Sequence, residues 1–170
     1  MIIDLANVGT TARVIELTFD SAEIDLESEI LMLTGQTSFS GEIERAATRV
    51  HLRGVIKTNV LLDCTRCLEA IVRYLDFPFR AIFVDSSDED TNADAEIGDD
   101  ALDESLVQEG KIDMAEVVRE QILLALPEQI FCREDCKGLC PKCGSNLNLI
   151  DCKCADDEVD PRWAALKSLK

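Results

Sequence analysis

A chain of 170 residues, 46% hydrophobic and 5% aromatic, has room for one domain, or one domain and a small appendage, around a mainly aliphatic core. Its 34 acidic against 17 basic residues give a net charge of −17. Such a surface repels nucleic acid at long range, so a basic protein partner is the better expectation. No run of about 18 apolar residues suggests a membrane span, and MIIDLANVGT has no basic start, long apolar run or cleavage site, so the cytoplasm is the expected compartment.

Residues 1–84 read as β-rich. Strands are predicted over Ala12–Phe19, Glu29–Thr34, Gln36–Glu44, Thr48–Val55, Ile56–Asp63 and Ala70–Val84, with Gly35 and Gly41 as punctuation. Short strands in succession suggest an antiparallel meander, or a partly closed barrel. Pro78 belongs on an edge or at a bulge, because it has no N–H for a ladder. Residues 85–110 read as an acidic flexible linker: 85–104 hold ten Asp or Glu and no Lys or Arg, and thus −10 of the −17.

Residues 111–131 hold the predicted core helix and the segment after it. Asp113 caps the helix, Glu116 completes a capping box, and Ile112 and Val117 form a hydrophobic staple. Met114, Val117, Val118, Ile122, Ala125 and Leu126 share one face, and Leu123 and Leu124 widen it, which predicts deep burial. Pro127 ends the helix. Residues 132–170 are the cysteine segment and a short terminal helix, with Asp160-Pro161 at its start and Trp163, Leu166 and Leu169 at helical spacing. The expected class is therefore α+β, one compact domain overall.

Eight cysteines carry the chemistry. From Cys132 the chain reads C-x3-C-x3-C-x2-C-x8-C-x-C, ending at Cys154. In Cys140-Pro141-Lys142-Cys143-Gly144 two thiolates on a tight turn reach one ion, and the glycine accepts a positive φ. Without a secretory signal, paired C-x-x-C spacing favours metal over disulfides. Four thiolates suit structural Zn²⁺, and eight make one or two such sites. Cys140 and Cys143 share a metal; their partners come from Cys132, Cys136, Cys152 and Cys154, or from the distant Cys64 and Cys67. Cys64-Thr65-Arg66-Cys67 lies between strands, where a zinc knuckle is favoured over a redox pair, with Arg66 as a cation able to lower a thiol pKa. A four-thiolate site has no open position, so it predicts structure and not hydrolysis. His51 is the only histidine, and neither a phosphate loop nor a dinucleotide fingerprint occurs, so no catalytic residue is assigned.

Three blocks resemble the YceD family of large ribosomal RNA accumulation proteins: Leu62-Asp63-Cys64-Thr65-Arg66-Cys67-Leu68; Gly110–Asp113 running into Glu120–Pro127; and Cys136–Asn148 with Asp160–Lys167 behind it. The resemblance implies a bacterial or plastid-type factor needed for large-subunit (23S) ribosomal RNA to accumulate. It also implies a place in ribosome assembly beside a basic ribosomal protein or a pre-50S particle. The leading expectation is thus a non-enzymatic assembly factor with no small-molecule substrate. Direct ribosomal RNA binding through the cysteine segment and a thiol oxidoreductase at Cys64 and Cys67 are the alternatives.

Overall fold

The computed structural model describes residues 1–28, 30–85, 104–154 and 162. These divide into two compact units, where the sequence pattern predicts one domain: residues 1–63 with 70–128, and residues 64–69 with those from Gln129 onward. The first unit holds β1 (Ile2–Asp4), β2 (Arg13–Phe19), β3 (Leu31–Leu33), β4 (Thr37–Ala46), β5 (Arg49–Asp63), β6 (Ala70–Asp85), β7 (Glu104–Val107), β8 (Lys111–Asp113) and α1 (Met114–Ala125). Mostly sheet with one helix, it keeps the α+β class. The main sheet runs β2-β4-β5-β6-β7, with β3 also on β5, while β1 and β8 form a separate pair. That path is open among the described strands, so the barrel alternative falls. The β6–β7 pair is parallel, a departure from an all-antiparallel sheet.

Its spine is the β5–β6 pair, antiparallel from Arg49 opposite Val84 to Asp63 opposite Ala70. Strict alternation builds it: Val50, Leu52, Ile56 and Val60 are fully buried, while Arg49, Arg53 and Lys57 face outward. The predicted break at Val55 does not occur, and Gly54 explains why. It sits opposite Gly41, and a Cβ on Gly54 would lie 2.4 Å from Cε2 of Phe39. The two glycines leave room for the Phe39 ring, which is 1% exposed and packs on Phe79 at 5.6 Å between centroids. They are seats for a ring and not turns. Thr37 and Thr58, both buried, satisfy each other across the sheet at 2.8 Å. Pro78 lies opposite Val55, outside the Ile82–Asp85 stretch that pairs with β7, so its missing donor costs no ladder bond to β7.

Helix α1 starts as predicted, with the Asp113 carboxylate accepting from the N–H of Ala115 at 3.0 Å. Glu116 accepts from Nη1 of Arg119, so its carboxylate serves an i,i+3 ion pair. Met114, Val117, Val118 and Ile122 are buried, but Leu124 is 77% exposed, so the apolar stripe is narrower than predicted. Arg119 also donates to the Asp25 carbonyl and to Glu27, pinning the loop before β3. Removing the cap in Asp113→Ala is expected to cost about 1 kcal/mol, read as a lower denaturant midpoint with unchanged slope.

Glu104–Val107 forms β7 and Gln108–Gly110 a 3-10 turn, so the C-terminal end of the expected linker, 104–110, is ordered. Residues 86–103 and the expected terminal helix around Trp163 lie outside the described residues. No helix among the described residues is long and apolar enough to cross a membrane.

Candidate metal centre

All eight cysteines fall in the second unit, as free thiols in two groups of four. Cys64, Cys67, Cys132 and Cys136 form one group; Cys140, Cys143, Cys152 and Cys154 form the other. Within each, every sulfur lies within 4.8 Å of the others. The six cysteines from Cys132 onward are therefore not one cluster: the first two join the C-x-x-C pair that precedes them by more than sixty residues, as the 65-residue separation of Cys67 and Cys132 shows.

Both C-x-x-C pairs fold into the same turn. The N–H of Leu68 donates to the Cys64 carbonyl at 2.9 Å, and that of Gly144 to the Cys140 carbonyl at 2.8 Å. The N–H of Cys64 returns to the Glu69 carbonyl, and that of Cys140 to the Ser145 carbonyl. The residue after the second cysteine takes positive φ in each, 58° at Leu68 and 70° at Gly144. Glycine adopts that φ freely, whereas leucine is strained by its Cβ. Leu68 is 62% exposed, so its side chain contributes little packing. Leu68→Gly is thus expected to stabilise this turn by roughly 0.5–1 kcal/mol, measurable as greater hydrogen-exchange protection at residues 64–69.

The first cluster is deeply set, with Cys64 at 0%, Cys136 at 4% and Cys67 at 5% exposure. Thr65 anchors its loop through N–H and Oγ1 bonds to the Ile130 carbonyl. Arg66 donates to the Cys136 carbonyl at 3.1 Å and its guanidinium lies 3.8 Å from the centroid of the Phe131 ring. Its charge is thus spent on holding chain segments together and not on a thiol. Asn148 donates from Nδ2 to the Cys136 sulfur at 3.4 Å and accepts the N–H of Lys137 at 2.8 Å. Side-chain reach of this kind has no sequence signature. The second cluster is more open, with Cys143 and Cys154 exposed.

The electrostatics suit a cation. Burial raises the Cys64 thiol, but N–H groups of Cys67, Arg66 and Cys132 outweigh it and bring the pKa down to about 6. Cys132 is pushed up to about 12, first by burial and then by Cys67, Cys136 and Cys64. The second cluster repeats this: the Ser145 hydroxyl and N–H hold Cys143 at about 6, while Cys143 and Cys152 push Cys154 up to about 12. Crowded sulfurs cannot all ionise without a positive charge among them, because neighbouring thiolates repel. The spacing agrees. Four sulfurs held tetrahedrally at about 2.3 Å from one ion lie about 3.8 Å apart, and Cys64–Cys136 and Cys67–Cys132 are 3.8 Å and 3.6 Å apart. Cys140–Cys152 is closer, at 3.3 Å, still far beyond a bonded pair at about 2.05 Å. Each cluster can therefore hold a metal ion.

Fold and site together define an α+β protein carrying two four-cysteine clusters on twin knuckles. The family model described as "Large ribosomal RNA subunit accumulation protein YceD" matches residues 52–170. The chain belongs to the YceD family. Among its relatives is the uncharacterized protein YlbN of Bacillus subtilis, 32% identical over 130 residues that span 76% of this chain and 71% of the relative. An uncharacterized protein of Mycobacterium leprae is 25% identical over 150 residues, 87% of this chain and 65% of that protein. The chloroplastic YCED homolog 1 of Arabidopsis thaliana, named for large ribosomal RNA subunit accumulation, is 26% identical over 152 residues, 77% of this chain and 47% of the homolog. No solved structure matches.

Proposed function

We propose that this protein is a non-enzymatic factor for the accumulation of large-subunit (23S) ribosomal RNA, acting in ribosome assembly by holding a basic ribosomal protein. The observation that carries the reading is the family match over residues 52–170, in a chain of net charge −17. Such a charge attracts a basic protein and suppresses direct competition for RNA phosphates. Affinity purification of the tagged protein at moderate salt is expected to recover ribosomal proteins or pre-50S particles. Recovery of neither would remove the proposal.

Within that reading, all eight cysteines are the metal ligands, and each cluster holds one structural Zn²⁺. Zinc suits four soft thiolates, and four of them leave no position for a reacting water. The ion would supply cohesion to a unit whose buried apolar cluster among the described residues is small: Cys64, Cys67 and Cys136 with Cys132 and Leu139 against them. A thiol oxidoreductase is the weaker reading. Cys64 and Cys67 are buried, and the chain after them enters strand β6 at Ala70 rather than a helix.

A further inference from the structure

The outer face of the β4–β5–β6 sheet carries a feature that neither the metal clusters nor an acidic docking surface uses. On that face β5 and β6 hold four basic residues, Arg49, Arg53, Lys57 and Arg80, against two acidic ones, Asp63 and Asp76, and Glu42 and Glu44 of β4 lie alongside them. In a chain with twice as many acids as bases, this pair of strands is locally positive. Arg53 and Arg80 lie directly opposite in the antiparallel register, an arrangement of like charges that is unfavourable unless an anion sits between them. With Arg49 and His51 they line an open cavity of about 790 Å³.

The existing partners leave capacity over. Glu104 is engaged by Arg49 at 2.6 Å and Glu42 by Arg53 at 2.9 Å. Arg80 has no hydrogen bond or ion pair among the described residues, and the other carboxylate lining the cavity, Glu44, is bonded to none of the arginines. Guanidinium forks present paired donors matched to phosphate oxygens, and arginine keeps its charge throughout the physiological range. Ile82, on the same face of β6 as Arg80, gives the cavity an apolar wall.

We propose that this cavity is a phosphate-binding site, with Arg80 and Arg53 as the principal contacts and Arg49 and His51 at its margin. It stands apart from the metal clusters and does not depend on the basic-protein reading. The phosphate can come from an RNA backbone or from a free nucleotide or phosphate ion, and the test separates these sources. The full-length protein, labelled with ¹⁵N, is titrated with a short single-stranded RNA, with ATP and with inorganic phosphate. Amide shifts at residues 49–53 and 80–82 are expected with at least one of them. A response to RNA that weakens steeply with salt assigns the backbone; a response to ATP or inorganic phosphate alone assigns the free ligand. The double change Arg53→Gln with Arg80→Gln is expected to weaken that binding at least tenfold. Arg73→Gln removes one charge from the other face of β6 and is expected to change it less than twofold. Absence of shifts with all three ligands overturns the proposal, as does equal weakening by Arg73→Gln.

Discussion

Cys64→Ser is expected to lower the metal content from two zinc ions per chain to one and to disorder the segment that follows α1. Cys64 is fully buried, its sulfur accepts the Cys132 N–H at 3.3 Å, and it lies 3.8 Å from the Cys136 sulfur. A serine there is a poor ligand to a soft ion and leaves three thiols facing one another in a dry site. Structural zinc contributes on the order of 10 kcal/mol to the fold that forms around it. Among the described residues the apolar packing around the first cluster is limited to Leu139 with Ile130 and Phe131 nearby, so losing the ion should release residues 129–139 from hydrogen-exchange protection. Strands β4 and β5, in the other unit, should keep theirs. Cys143→Ser should take the other ion and leave residues 129–136 protected. Elemental analysis with hydrogen exchange by mass spectrometry reads both effects. Acid works in the same direction, because the ligands must be deprotonated: lowering the pH protonates sulfur and expels the ion. Two ions retained in Cys64→Ser, or none in the wild type, would defeat the assignment.

What was legible in the sequence follows from how local each signal is. The helix start at Asp113 needs only neighbouring residues, and it forms as read. The C-x-x-C pairs are equally local, and both make the expected turn; which cysteines complete each cluster is a question of long-range folding that spacing cannot answer. Cys132 and Cys136, at C-x3-C spacing, look like part of the C-terminal run and belong with Cys64 and Cys67 instead. Gly41 is misread as punctuation for a related reason. A glycine in a strand looks like an interruption until its cross-strand partner, Gly54, and the ring laid over both are known. The acidic composition before Glu104 masks a strand whose parallel pairing with β6 depends on residues far outside its own window. Leu124 shows the opposite failure, since helical periodicity marks a stripe but not how much of it the sheet covers.

The ring seat gives the second large effect. Phe39→Ala is expected to destabilise the β-rich unit by roughly 3–5 kcal/mol, the usual cost of emptying a buried phenylalanine site. Phe39 is 1% exposed and is held between Phe79 and the glycine pair. Gly54→Ala is expected to cost about 1–3 kcal/mol by overpacking, since the new methyl would meet Cε2 of Phe39 at 2.4 Å and the Ser40 carbonyl oxygen at 2.7 Å. The two changes share atoms, so they should not add. With the ring gone, the alanine methyl enters vacated space and only the Ser40 carbonyl opposes it. The double variant should therefore be more stable than the sum of the singles by roughly 0.5–3 kcal/mol, the range seen for residues in contact. Urea denaturation of the wild type, both singles and the double closes the cycle. Simple additivity would mean that Gly54 is constrained by backbone approach across the sheet and not by the ring it seats.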